Sequence, residues 1–120
     1  MLDTTDVTTV RTTHHRGVPV VVVTGEVDST TVEPVRTQLF TELDRRPSGL
    51  VVDLSGVGFI GSTGLHLLAE AITRAARLEI PLAVVAEHHA VRRPMQITQL
   101  DRAVTVCVAV DEAVTAVLPR

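Results

Sequence analysis

The chain has no lysine, no tryptophan, no tyrosine and a single cysteine. All 11 of its basic residues are arginine, set against 14 acids for a net charge of -3. That balance offers no electrostatic footprint for DNA or RNA, and nucleic-acid binding is not expected. The one cysteine, Cys107, lies between Val106 and Val108. It allows no disulfide within the chain and reads as a small core hydrophobe rather than a reactive thiol. Long apolar runs are also missing: the longest, Val18 to Val23, contains Pro19 and is far too short for a bilayer. The N-terminus lacks a basic region followed by an apolar stretch. A soluble cytoplasmic protein with no membrane partner is expected.

What is present suits one compact core. Apolar residues make up 45% of 120 positions and charged residues 21%, so residues 1–120 are expected to form a single domain. No linker, repeat or low-complexity segment interrupts them. Residues 7 to 12 alternate weakly, meet His14-His15-Arg16-Gly17, and lead into the β-branched run Val18 to Thr24. This predicts a hairpin feeding a buried strand that Gly25 ends. Val32, Val35, Leu39 and Leu43 recur at helical spacing, with Thr30-x-x-Glu33 as a capping box and Pro47-Ser48-Gly49 as a stop. A helix over 31–46 follows, with Arg36, Glu42 and Arg46 on its polar face. Leu50 to Leu54 is the next strand, 63–79 a helix with Leu65, Leu68, Ile72 and Ala75 inward, and Leu82 to Ala86 a third buried strand. Val91 to Leu100 fits a short helix interrupted near Pro94, Val104 to Val108 an edge strand, and Ala113, Val114 and Val117 a terminal helix. Strands alternating with helices at this spacing imply right-handed crossovers and a mainly parallel sheet of four or five strands, with about four helices.

The most informative segment is Val51-Val52-Asp53-Leu54-Ser55-Gly56-Val57-Gly58-Phe59-Ile60-Gly61-Ser62-Thr63-Gly64-Leu65. It reads as an apolar strand, a glycine-studded turn, and two hydroxyls opening a helix. Gly56-x-Gly58-x-x-Gly61 fits the glycines of a dinucleotide fold. That fold also needs an acid about 20 positions on, at the end of the next strand; Glu79 precedes that strand and Glu87 comes 31 positions after Gly56. Gly56 to Thr63 matches a phosphate loop except that Ser62 stands where its lysine must reach the phosphates. A nucleophile elbow would need glycine where Ile60 stands. What remains is a hydroxyl displayed at a helix N-terminus, where free N–H groups and the macrodipole favour an anion. Ser62 and Thr63 are placed to carry a covalent phosphate there. On chemistry alone the favoured reading is that Ser62 or Thr63 merely caps the helix.

These residues resemble the STAS domain family, and within it the bacterial anti-sigma factor antagonists. Val23-Thr24-Gly25-Glu26-Val27-Asp28 looks like the family's Gly-Glu-x-Asp turn, and Val51 to Leu65 looks like its Asp-Leu-Ser-x-Val-x-Phe-x-Asp-Ser-Ser/Thr-Gly-Leu signature. Leu100-Asp101-Arg102 resembles its Leu-Asp-Arg before the last strand. The resemblance implies a single STAS-type α/β domain and a partner-switching regulator of transcription that is not an enzyme. Such a protein binds an anti-sigma factor serine kinase, is released when that kinase phosphorylates it, and is reset by a PP2C-type phosphatase. The ATP belongs to the kinase, so the resemblance implies no cofactor and no metal. Carried over by position, the phosphoacceptor falls on Thr63, with Ser62 as second choice. Asp28 matches an acid that supports phosphorylation, or else caps the helix near Thr31. Gly61 departs from the family, which usually has Asp there. Gly64, His66, Glu70 and Arg74 would flank the docking site, or form an ordinary solvated face with a Glu70–Arg74 pair. Two alternatives stay open: a STAS scaffold or adaptor that works without phosphorylation, and a nucleotide-binding domain using the Gly56-Gly58-Gly61 turn.

Overall fold

The computed structural model describes residues 8–119. It opens with a hairpin of β1 (Thr9–His15) and β2 (Val18–Val27). The two-residue turn uses Arg16 and Gly17, both at positive φ, which matches the twist of the strands. Residue 7, where the first arm was expected to begin, lies outside the described residues. Gly25 does not end β2: at φ 95 it sits inside a strand that continues to Val27.

The remaining elements alternate as the apolar spacing requires. They are α1 (Val32–Asp44), β3 (Leu50–Ile60), α2 (Ser62–Arg77), β4 (Leu82–Val85), α3 (His89–Ile97), α4 (Leu100–Ala103), β5 (Thr105–Cys107) and α5 (Val110–Val117). Helix α1 buries Val32, Val35, Leu39 and Leu43 as expected, but also Glu42, which borders this stripe and is 5% exposed. The expected Thr30–Glu33 capping box does not form: Thr31 is the N-cap, and no side chain among the described residues caps α1. Pro94 does not interrupt α3. The break falls at Thr98–Gln99, where Gln99 turns left-handed at φ 63, and this gives five helices where about four were expected.

The five strands stand in the order β1-β2-β3-β4-β5; β1 and β2 are antiparallel and all later neighbours parallel. The expected single α/β domain with a mainly parallel sheet and N-terminal hairpin is therefore what forms. Strand order advances steadily, so crossovers of one hand must leave their helices on one face. Residues of α1, α2 and α3 share one core cluster with Val21, Val23, Val52, Val57 and Ile60. The opposite face packs Val20, Val51, Ala83 and Val85 against Ala113, Val114 and Val117 of α5. Cys107 is buried in that second cluster, where burial, then a hydrogen bond to Glu112, push its thiol above the usual range. No helix among the described residues is long and apolar enough to cross a membrane.

Helix α2 lies tightly against the sheet at Gly64 in its first turn. A Cβ there would stand 2.7 Å from Ile60 Cγ1 and 2.9 Å from Val27 Cγ1. Alanine is the better helix former, yet Gly64→Ala is expected to lower stability by about 1–3 kcal/mol through overpacking. Denaturant unfolding checks this, and an unchanged or raised midpoint would contradict it.

Candidate functional site

The glycine segment is mostly strand. Pairing of β3 with β2 slips twice: Val22 faces Asp53 but Thr24 faces Gly56, and Gly25 faces Val57 but Glu26 faces Phe59. Each slip inserts one extra residue into β3 and bends it. The buried Asp53 carboxylate accepts the Ser55 N–H at 2.9 Å, which satisfies an amide at the first bulge. Gly56 lies against Thr24, where a Cβ would come within 2.9 Å of Cγ2. The pairing of β4 with β3 ends at Asp53, so the bulged half of β3 runs on beyond it. Gly56 and Gly58 thus do not form the expected turn. One residue, Gly61, links β3 to α2, and no glycine loop is left for the nucleotide-binding alternative to use.

Gly61 is the N-cap of α2 and is extended, with φ -90 and ψ -177. Its N–H donates to Val27 O at 2.9 Å, and its carbonyl accepts from Leu65 N at 3.0 Å. Ser62 and Thr63 are therefore the first two helical residues, one step past the capping position. Neither hydroxyl caps the helix, and neither has a hydrogen-bond partner among the described residues. Ser62 is exposed and Thr63 half-buried. The open N–H groups and positive dipole end of α2 lie beneath them.

The Gly61 to Val27 bond also brings the β2–α1 loop to this helix start. Asp28, next in chain to Val27, accepts hydrogen bonds from Thr30 N at 2.9 Å and Thr30 Oγ1 at 2.7 Å. Thr31 Oγ1 donates to Glu26 O at 2.7 Å and accepts from Asp28 N at 3.0 Å. Asp28 shapes the loop and is not the cap of α1. The Thr30 hydroxyl, then the Thr30 amide, hold its carboxyl below the usual range against the opposing effect of desolvation.

Along α2, Glu70 and Arg74 do not pair with each other. Packing of α1 beside α2 supplies each with a partner: Arg36 Nη1 reaches both oxygens of Glu70 at 2.9 and 3.1 Å, and Arg74 Nη1 bonds Asp44 Oδ1 at 3.0 Å. His66 Nε2 is 3.6 Å from Glu70 Oε1. Arg74 also lies over the Phe40 ring, 4.9 Å from its centroid. Ser62 and His66 line one groove of about 330 Å³ with Leu65, Ala69, Thr98 and Leu100. Two neighbours of the site escaped the sequence reading. Arg36 is the clamp on Glu70, and Phe59 is 49% exposed, with its ring against Gly61. A one-residue bulge before Phe59 decides its exposure, and no spacing rule announces a bulge.

Together the fold and this end of the sheet define a class of small α/β domain: a hairpin opens a parallel sheet, and a helix start bearing hydroxyls is displayed at its carboxyl edge. The chain belongs to the STAS domain family, whose model matches residues 9–113. It is 32% identical over 112 residues to the anti-sigma-F factor antagonist RsfB of Mycobacterium tuberculosis, covering 93% of this chain and 91% of that protein. A crystal structure of an anti-sigma factor antagonist from Mycobacterium paratuberculosis superposes with a TM-score of 0.88 at 36% identity, over 97% of this chain and 98% of the other. SpoIIAA of Bacillus in its phosphorylated form shares the fold at 17% identity, with a TM-score of 0.70 over 93% of this chain and 100% of the other.

Two predictions follow from the helix start. The extended backbone at Gly61 suits an N-cap residue, and a Cβ there would meet only Phe59 Cε2 at 3.4 Å, Phe59 Cζ at 3.7 Å and Val27 O at 3.8 Å. Gly61→Asp is expected to keep the fold and raise stability by a few tenths of a kcal/mol, read by thermal unfolding; a clear loss would contradict the geometry. For Asp28, a depressed carboxyl contributes order that is complete above its unfolded-state range and is lost as pH falls through the folded value. Amide exchange at Thr30 is expected to accelerate, beyond its intrinsic pH dependence, only in the acid range. Asp28→Ala should show that acceleration at every pH.

Proposed function

We propose that this protein is an anti-sigma factor antagonist whose binding to an anti-sigma factor serine kinase is switched off by phosphorylation at the Ser62–Thr63 pair. The observation that carries this reading is the helix start itself: two hydroxyls with no hydrogen-bond partner among the described residues, just past an N-cap, on the first turn of α2. The similarity to RsfB supports the antagonist role, and SpoIIAA supports the compatibility of this architecture with a phosphorylated form.

The chemistry is balanced within the complex. A hydroxyl oxygen bonds the γ-phosphorus of ATP held by the kinase, the bond to ADP breaks, and the hydroxyl proton passes to a base of the kinase. The product is a phosphate of nearly two charges above the dipole of α2, an arrangement that favours the modified protein by up to about 2 kcal/mol. A partner packed on the same turn must instead accommodate a hydrated dianion. A penalty of about 4 kcal/mol would weaken that complex roughly a thousandfold. A PP2C-type phosphatase restores the free hydroxyl. The resemblance favours Thr63 as acceptor, while exposure favours Ser62. Asp28 supports the site through the loop it orders, Gly64 by seating α2, and Gly61 and His66 border the surface the partner covers.

Incubation with a cognate anti-sigma factor kinase and ATP, followed by intact mass and peptide mapping, tests this. One added phosphate on Ser62 or Thr63 is expected, lost in whichever alanine variant removes the acceptor. No phosphate with a kinase that binds the protein would favour the phosphorylation-independent adaptor, which Gly61 motivates.

A further inference from the structure

Beyond Asp53, which faces Val85, β3 has no neighbour on its β4 side. The chain leaving β4 turns toward β5 instead, where Ala86 N donates to Cys107 O at 2.9 Å. Residues Gly56 to Phe59 therefore pair with β2 alone, and among the described residues no backbone hydrogen bond outside that ladder reaches them. A parallel strand directs its backbone groups alternately to its two neighbours, so this edge presents a row of unpaired N–H and C=O groups. Gly56 and Gly58 are both exposed, and the exposed surface of a glycine is backbone. A Cβ at Gly58 would meet nothing within 4 Å. No residue from Ser55 to Ile60 carries a charge. The outer edges of the sheet are better guarded: β1 bears Arg11, His14 and His15, and β5 is only 3 residues long.

The open edge is one wall of a groove of about 330 Å³, formed by Ser55 to Gly58 and faced by His88 to Ala90 at the start of α3. Helix α3 carries His89, Arg92 and Arg93 and no acid, and neither arginine forms an ion pair among the described residues. Of the acids nearest in sequence, Asp53 is buried against the Ser55 N–H and Glu87 is exposed. We infer that this groove takes an extended, acidic segment of a protein partner, which adds to the sheet in the place that β4 leaves. Unpaired N–H and C=O groups at strand spacing are complementary to another extended chain, and the arginines of the facing helix select one that carries carboxylates. A second copy docked edge to edge would set two such helices against each other, and their like charge opposes self-pairing. The edge leads through Gly61 to Ser62, so a segment lying on it runs toward the hydroxyl pair. Only about 13 Å of strand separates Gly58 from Ser62.

The probe is a blocked peptide of alternating valine and glutamate, about six residues long so that it spans the edge. Added to the isotope-labelled protein, it is expected to shift the amide NMR signals of Gly56 to Phe59 in a saturable way and to slow their hydrogen exchange. The same peptide N-methylated throughout keeps its side chains but loses its donors, and it should bind at least about tenfold more weakly. Lysine in place of glutamate should also weaken binding, as should Gly58→Glu, a substitution the open space at Gly58 accommodates. No shift at Gly56 to Phe59, shifts confined to β1, or equal binding of the N-methylated or lysine peptide would overturn the inference. Protection of these amides that grows with the concentration of the protein alone would give the edge to a second copy, and would overturn it too. The inference does not depend on phosphorylation: the kinase assay reads the hydroxyl pair, and the peptide titration reads the edge of β3.

Discussion

One backbone hydrogen bond holds the site in place, from Gly61 N–H to Val27 O at 2.9 Å. It joins the ends of two neighbouring parallel strands, β2 and β3, where each hands the chain to a helix. Without it the β2–α1 loop and the start of α2 would be independent connections; with it, Asp28 and the Ser62–Thr63 pair belong to one rigid corner. Everything below that bond serves its alignment. The two bulges of β3 carry the strand past the end of β4, and Gly64 lets α2 lie against Ile60 and Val27 so that the helix points from the corner at a fixed angle.

The distribution of helices follows from handedness and strand order, and it decides which end of the sheet is open. Three crossovers on one face pack α1, α2 and α3 into a single core, leaving the other face to α5 alone. Loops at the carboxyl ends of parallel strands then gather at one edge, where α/β folds commonly place their functional groups. The ion pairs between α1 and α2 are partly exposed and individually worth no more than about 1 kcal/mol. Their contribution is orientation: Arg36 holds Glu70, and Arg74 spans Asp44 and Phe40, which registers the two helices that flank the corner.

Much of this was legible in the sequence because period and burial agree there. The β-branched run from Val18 and the helical spacing of Val32 to Leu43 report directly which face meets the core, whereas in α2 the buried stripe is Gly64, Leu67, Leu68, Ala71 and Ala75, and the expected Leu65 and Ile72 are only half-buried because small residues let that side of the helix approach the sheet. The glycines of β3 misled for the same reason: Gly56 and Gly58 carry no side chain to report a period, and strand continuation is set by pairing with β2, a nonlocal property. Glu70 was assigned to Arg74 because helical spacing sees only its own helix, whereas Arg36 arrives from α1. The hydroxyl pair is legible from its place at a predicted helix start, and the resemblance to a known motif singles out Thr63 within it. The geometry of the pair is not, since one residue separates a capping position from a first-turn position, and only the backbone of Gly61 decides between them.

The central claim is that a phosphate at the start of α2 is tolerated by the fold and rejected by the partner. These effects oppose each other at one point in space, because the same N–H groups that favour an anion lie under the surface the partner would cover. The most direct measurement is the dissociation constant of the anti-sigma factor for the unmodified protein and for its homogeneous phosphorylated form, with circular dichroism confirming that both are folded. The account predicts equal folding and a dissociation constant raised roughly a thousandfold by the phosphate. Equal affinity of the two folded forms would contradict it.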